Sequence, residues 1–235
     1  MKPRSLSLLE ARLSYPFRKV KLLRQALTHK SYVNETKEKD RQDNERFEFL
    51  GDSVLDLIMC QELVERFPDL PEGDLSKMKA KIVSEEVLAD VARKIDLGCY
   101  LFLGKGEIQS EGNTKPSLLS DALEALIAAI YLDAGRHNGL SQTRRVVLSL
   151  FAEDLQSLNR GEVVFDYKTA LQEYSQKMFA SLPIYRVIRE TGPDHEKQFE
   201  VGVFMNKALC GIGVGKSKKM AEQQAAQKAL SAVKS

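Results

Sequence analysis

Cysteine is scarce in this 235-residue chain, and Cys60, Cys99 and Cys210 form no Cys-x-x-Cys pair. An odd, widely spaced trio excludes a disulfide framework and a cysteine zinc cluster, so reduced core residues of a cytoplasmic protein are expected. Histidine is equally sparse. His29, His137 and His195 give neither a helical zinc pair nor neighbouring histidines for acid–base cleavage. Long hydrophobic runs are missing too: the longest, residues 125–132, falls far short of the ~20 residues that cross a bilayer, and no signal peptide is apparent. A soluble protein with no membrane partner is expected. With 43% hydrophobic and 29% charged residues the chain is globular in composition and long enough for two modest domains.

The net charge of +2 conceals an asymmetry. Residues 165–235 hold eleven Lys and Arg against seven Asp and Glu, a net +4, which leaves 24 against 26, a net −2, for residues 1–164. An acidic front and a basic rear suit metal chemistry in one part and polyanion binding in the other.

The segment Glu45-Arg46-Phe47-Glu48-Phe49-Leu50-Gly51-Asp52-Ser53 places acids in a stretch otherwise apolar enough for a core. On a helix Glu48 and Asp52 are one turn apart on one face, with Glu45 beside them. A second segment, Ser120-Asp121-Ala122-Leu123-Glu124-Ala125, carries the only charges between Lys115 and Asp133, and Asp121 and Glu124 are again one turn apart. Ala125 and Ala128 make a small-residue strip and Gly51 a notch beside Glu48, which together let two such helices approach closely. Clustered like charges repel, and burial adds a desolvation cost. Each acid must therefore be protonated, paired with Lys or Arg, or bound to a metal. Four oxygen donors without His or Cys favour Mg2+, with Mn2+ as a substitute, over zinc. The chemistry that follows is metal-assisted hydrolysis; private Lys or Arg partners are the alternative.

Hydrophobic periodicity predicts helices over residues 6–13, 20–27 and 84–95, a helix through Glu48 running to about Arg66, a helix from Asp74 or Ser76 through Lys81 and beyond, one through Asp121, and a last one over 140–158. Residues 34–43 read as a polar stretch and 98–116 as glycine-rich loop, with Gly104-Lys105-Gly106 a flexible surface turn. This makes residues 1–158 an almost strand-free domain, followed by a polar linker at 159–164. In residues 165–235 the texture changes to a helix over 166–180, three β-rich runs over 184–189, 198–205 and 208–214 joined by short turns, and a closing helix over 218–233 capped by Ser217. The fold class is multidomain: an all-α domain followed by a small α+β domain of order α-β-β-β-α. Gly215-Lys216-Ser217 imitates the end of a P-loop, but Cys210 stands where that motif requires its first glycine.

Lys216, Lys218 and Lys219 surround the start of the closing helix, where free backbone N–H groups already favour phosphate. Together with the helix–three strands–helix order and Gly192-Pro193-Asp194-His195, they resemble a double-stranded RNA-binding domain. That resemblance implies first-helix contacts from Thr169, Gln172 and Gln176, loop contacts from Asp194 and His195, and contacts at the second helix from Lys216, Ser217, Lys218 and Lys219, with RNA read by shape and backbone.

The acid segments and Glu72-Gly73-Asp74 between them are similar, in order and wording, to bacterial ribonuclease III, differing mainly by Phe47 where Leu is common. This implies an all-α nuclease domain in which Glu48, Asp52, Asp121 and Glu124 surround Mg2+, with Asp52 and Glu124 catalytic and Glu45 and Glu72 supporting or touching RNA. It further implies a homodimer that cuts duplex RNA to 5′-phosphate and 3′-hydroxyl ends while processing ribosomal RNA precursors and other structured transcripts. Phe47 and Phe49 are then either interface anchors or core residues of one subunit.

Overall fold

The computed structural model describes residues 5–36, 42–159, 167–193 and 197–234, and the chain divides into two compact units, Met1–Arg160 and Gly161–Ser235. Among the described residues of the first unit every regular element is helical: α1 (Leu6–Leu13), α2 (Val20–Ala26), α3 (Lys30–Glu35), α4 (Glu45–Arg66), α5 (Glu72–Ile82), α6 (Glu85–Lys94), α7 (Lys105–Gln109), α8 (Pro116–Leu150) and α9 (Ala152–Asn159).

The unit is built around α4 packed along α8. Along α4 the buried positions Gly51, Val54, Leu55, Ile58, Met59, Glu62 and Leu63 recur every three or four residues, the spacing of one helix face. The middle of α8, including Ala125, Leu126, Ala128 and Ala129, is buried on nearly all sides. Gly51 makes the approach possible: a Cβ there would lie 1.8 Å from the Glu124 carbonyl oxygen. The expected notch is thus filled by backbone of the other acid-bearing helix. One buried charge crosses the same interface. Glu62 pairs with Arg66 Nε at 2.5 Å and with Arg144 at 2.6 Å, a placement that satisfies a largely buried carboxylate. Asp133, also buried, accepts hydrogen bonds from Tyr15 Oη (3.0 Å) and from the backbone N–H groups of Arg18 (3.0 Å) and Lys19 (2.7 Å), fixing the α1–α2 connection to α8.

Several expectations are corrected. Gly135 (φ 79°, ψ 177°) is non-helical and divides α8 into two helices, so the separate helix expected from residue 140 is present but ends at Leu150, with α9 following after Phe151; Asn159 ends α9 and does not begin a linker. Residues 98–116 are not open loop. They contain α7 between two short 3-10 turns, held by the Lys115–Glu107 ion pair (2.8 Å) and the buried side chain of Leu103. Gly104-Lys105-Gly106 is no free turn either, because the N–H groups of Gly104 and Lys105 donate to Ser31 Oγ and Glu35 Oε2, both at 2.9 Å. Those acceptors sit on α3, which occupies the start of the expected polar stretch. Neither Asp74 nor Ser76 caps α5, which opens one turn earlier behind Pro71, whose fixed φ suits a helix entry. Ser84 does cap α6, accepting from the Val87 N–H. Two of the cysteines are not core residues: Cys60, on the outward face of α4, and Cys99 are exposed, while Cys210 is half-buried against the core of the second unit. Among the described residues no helix is long and apolar enough to cross a membrane.

The second unit comprises α10 (Tyr167–Phe179), an antiparallel sheet of order β1-β2-β3 from Ile184–Thr191, Gln198–Met205 and Ala208–Gly215, and α11 (Lys218–Lys234). Leu171, Val203, Met205, Ala225, Ala226 and Ala229 form its core. Gly211 and Gly213 let β3 lie directly on α11, where any Cβ would strike the carbonyl oxygens of Ala225 and Ala221. Ser217 caps α11 by accepting from the Met220 N–H at 3.2 Å. Residues 160–166 and 194–196 lie outside the described residues, so the linker beyond Asn159 and the turn residues Asp194 and His195 are named only from sequence.

Candidate active site and nucleic-acid interface

The four acids expected on two helices come together where α4 meets α8. Glu48 and Asp52 lie on the first turns of α4, on either side of the Gly51–Glu124 contact, and Asp121 and Glu124 lie on the second and third turns of α8. Glu48, Asp121 and Glu124 are half-buried and Asp52 is exposed. The burial has an electrostatic consequence. Glu124 is pushed up to about 8, first by loss of water and then by the charges of Asp52, Asp121 and Glu48. Glu48 is raised by burial and by Asp121 and Glu45, and Asp121 is raised mainly by burial.

Private partners explain only the flanking acids. Glu45 pairs with Lys30 at 2.9 Å, and Asp56 pairs with Lys79. Among the described residues no Lys or Arg forms an ion pair with Glu48, Asp52, Asp121 or Glu124, and Arg46 is exposed without one. Glu72, the first residue of α5, accepts from Ser76 Oγ at 2.6 Å. The donor chemistry, four clustered carboxylates without a direct ion pair, fits a hard divalent cation. Among the described residues no three His, Cys, Asp or Glu side chains yet converge into a closed ligand set. The acids form a half-buried, negative, open arrangement.

Sequence reasoning missed α3 in this neighbourhood. Its segment is anchored by the Phe102 N–H donating to the Leu27 carbonyl (2.8 Å) and the His29 N–H donating to the Phe102 carbonyl (3.1 Å), which brings Lys30 beside Glu45, Glu48 and Asp121. No local signal reveals this, because the partners are about seventy residues apart and meet only in the fold.

On α4 the two phenylalanines part company. Phe47 is half-buried and lines a 440 Å³ cleft with Leu22, Gln25 and Leu132, while Phe49 is 79% exposed. Leu57 and Val64 continue the Phe49 stripe at 54% and 57% exposure.

In the second unit Thr169, Gln172 and Gln176 are exposed on one face of α10, opposite buried Leu171 and Ser175, and line an open 610 Å³ cleft with Glu173, Lys177 and Leu182. Lys216, Ser217, Lys218 and Lys219 are exposed around the α11 start, as expected, with Ser217 engaged as its cap. Two residues that the sequence did not single out adjoin them: Glu190 pairs with Lys218 and also with Lys197, both at 3.2 Å.

Comparison with known proteins is consistent along the chain. A family model described as ribonuclease-III-like matches residues 19–155, and a double-stranded RNA binding motif matches residues 167–233. Ribonuclease 3 of Pseudothermotoga lettingae is 45% identical over 95% of this chain and 93% of its own length. Ribonuclease 3 of Caldanaerobacter subterraneus is 48% identical over 96% and 97%. Among solved structures, the nuclease domain of ribonuclease III from Campylobacter jejuni superposes with a TM-score of 0.57 at 41% identity, covering 66% of this chain and 97% of that one. A second structure of that domain, described for flexibility in a region involved in dimer formation, gives 0.56 at 41% identity over 63% and 99%. With a helical unit carrying the paired acids and an α-β-β-β-α unit carrying the basic helix start, the chain belongs to the ribonuclease III family of double-strand-specific endoribonucleases.

Proposed function

We propose that the chain is a Mg2+-dependent enzyme, able to use Mn2+, that hydrolyses phosphodiester bonds of duplex RNA to leave 5′-phosphate and 3′-hydroxyl ends. One observation carries this reading: four carboxylates on α4 and α8, three of them half-buried, gather at one site, and no described Lys or Arg forms an ion pair with them. Such charge is unstable alone and becomes favourable around a divalent cation. Glu48, Asp52, Asp121 and Glu124 would hold the ion. When bound, Mg2+ supplies a Lewis acid that makes water a better nucleophile and offsets charge on a phosphoryl oxygen.

The chain's own residues do the placing. The Gly51–Glu124 backbone contact fixes the two acid pairs relative to each other, and burial keeps Glu124 in surroundings where its charge acts through little water. Asp52, the exposed member, lies open to an approaching duplex. Glu45 and Glu72, at the first positions of α4 and α5, take supporting or RNA-contacting roles. In the second unit, Thr169, Gln172 and Gln176 face the minor groove, Asp194 and His195 supply the loop contact, and Lys216, Lys218 and Lys219 meet phosphates.

We further infer a homodimer, with the Phe49, Leu57 and Val64 stripe as its contact. A two-fold pair presents one active site to each strand of a near-symmetric duplex, and an exposed apolar stripe of this length is the surface such a pair would cover. Processing of ribosomal RNA precursors and other structured transcripts in the cytoplasm fits this activity. A protein that only shields RNA would not need four clustered acids without ion pairs. Incubation of the full chain with a long RNA duplex, with and without Mg2+, followed by end-group mapping tests the proposal. Cleavage only with Mg2+ and 5′-phosphate products are expected; 2′,3′-cyclic phosphate ends or cation-independent cleavage would overturn it.

A further inference from the structure

We propose that Glu190 is a positioning residue for duplex binding, holding Lys218 together with Lys197, a further phosphate-contacting residue, as a two-ammonium clamp over Phe199. The proposal rests on the reading of the α11 start as a phosphate-binding surface. Its basis is a row of residues across the sheet. Glu190 of β1 is the register partner of Phe199 in β2, and Phe199 is the partner of Gly215 in β3, the residue from which the chain turns into Lys216, Ser217 and Lys218. The row therefore ends beneath the start of α11, and Gly215 lies so close that a Cβ would come within 2.7 Å of the Ala221 backbone nitrogen.

On this row the two lysines converge. Glu190 accepts Lys218 Nζ on one carboxylate oxygen and Lys197 Nζ on the other, each at 3.2 Å. Both ammonium groups also stand over the Phe199 ring, at 5.4 Å and 5.9 Å from its centroid, within cation–π range. Two ammonium groups this close repel unless an anion stands between them, so the carboxylate makes the pair possible. The Lys218 ammonium carries three N–H donors, more than a single carboxylate oxygen takes up. Lys218 is 58% exposed and Lys197 38%, so an outside anion can reach both. A phosphate placed above the pair would meet two cations already gathered and the N–H groups at the α11 start.

Coulomb's law alone gives Glu190 the opposite role. A carboxylate beside a polyanion-binding surface repels the ligand, so its removal should tighten binding; organisation of the lysines predicts weakening. The sign of one substitution separates the two. Surface ion pairs add little to stability, so Glu190→Gln should leave the thermal midpoint nearly unchanged.

The experiment measures affinity and its salt dependence for the full chain without divalent cation, on a duplex of about 20 base pairs, longer than the ~16 such a domain spans. Glu190→Gln is expected to weaken binding several-fold at fixed salt; equal or tighter binding would overturn the proposal. Lys197→Met should lower the log–log salt slope by about 0.9, the value for one phosphate left unneutralised on B-DNA. An unchanged slope would remove Lys197 from the clamp. In a Lys197→Met, Lys218→Met background, Glu190→Gln should no longer weaken binding. Weakening there would show that it acts through the fold and not through the lysines. Lys218→Met alone tests the underlying reading, since wild-type affinity in that variant defeats the phosphate surface whatever Glu190 does.

Discussion

The two charged regions of this molecule are built on opposite principles. At the α4–α8 contact, negative groups are crowded, three of the four acids are half-buried, and none of the four forms an ion pair among the described residues. Around the α11 start, positive groups are exposed, and Lys218 already has Glu190 as a partner. Burial makes each charge worth more and less tolerable, which suits chemistry on one bound ion. Exposure keeps each interaction weak, salt-sensitive and additive, which suits holding a long polyanion of any sequence.

The sharpest way to break this comparison is to remove one buried charge. Glu124→Gln preserves size and hydrogen bonding, and cleavage is expected to fall by roughly 10²–10³ or more, the scale of losing one preorganised electrostatic group. Duplex binding without cation should persist, checked by electrophoretic shift beside single-turnover cleavage. Next in size is Gly51→Ala. Its methyl group would meet the Glu124 carbonyl oxygen at 1.8 Å, forcing α4 and α8 apart. A loss of about 1–3 kcal/mol in chemical denaturation is expected, together with most of the activity.

The exposed side responds in proportion. Neutralising Lys216, Lys218 and Lys219 together should reduce the salt slope by about 0.9 for each phosphate that no longer meets a lysine, on the B-DNA calibration. Cleavage should fail at physiological salt and recover in part at low salt and high enzyme concentration, where the nuclease unit captures RNA unaided. Phe49→Asp places a charge in the apolar α4 stripe, and sedimentation of the full chain is expected to shift from dimer to monomer at micromolar concentration.

The smallest effect lies away from both regions. Burial, and then the hydrogen bond to Asp133, raise Tyr15 to about 12 from its ordinary 10. Its folded-state value exceeds the unfolded one, so the contribution is fully present below pH 10 and lost as pH rises toward 12. Tyr15→Phe should lower stability by about 1 kcal/mol at neutral pH and flatten the loss of stability above pH 10, read from melting curves.

How much was legible follows from the range of each interaction. Glu48 with Asp52, and Asp121 with Glu124, share helix faces by spacing alone, and Gly51 could be read as a notch because only one residue type leaves that room. The strands and Ser217 cap were similarly local. What escaped depends on residues distant in sequence. Lys30 reaches the acids because α3 is pinned to the Phe102–Lys105 segment, and that pinning also turns an apparently loose glycine turn into the entry of α7. Phe47 and Phe49 look alike in sequence, yet two positions on a helix are about 200° apart, so one lines a cleft while the other faces solvent. Glu190 and Lys218 meet only through sheet register.

Direct cation binding tests the central claim that the four acids form one divalent-cation site. Mn2+ titration of the full chain, followed by electron paramagnetic resonance without RNA, should show bound ion in the wild type and at least about tenfold weaker binding in Glu124→Gln, the loss typical when a metal site is disturbed. Identical Mn2+ isotherms for the two proteins would contradict it.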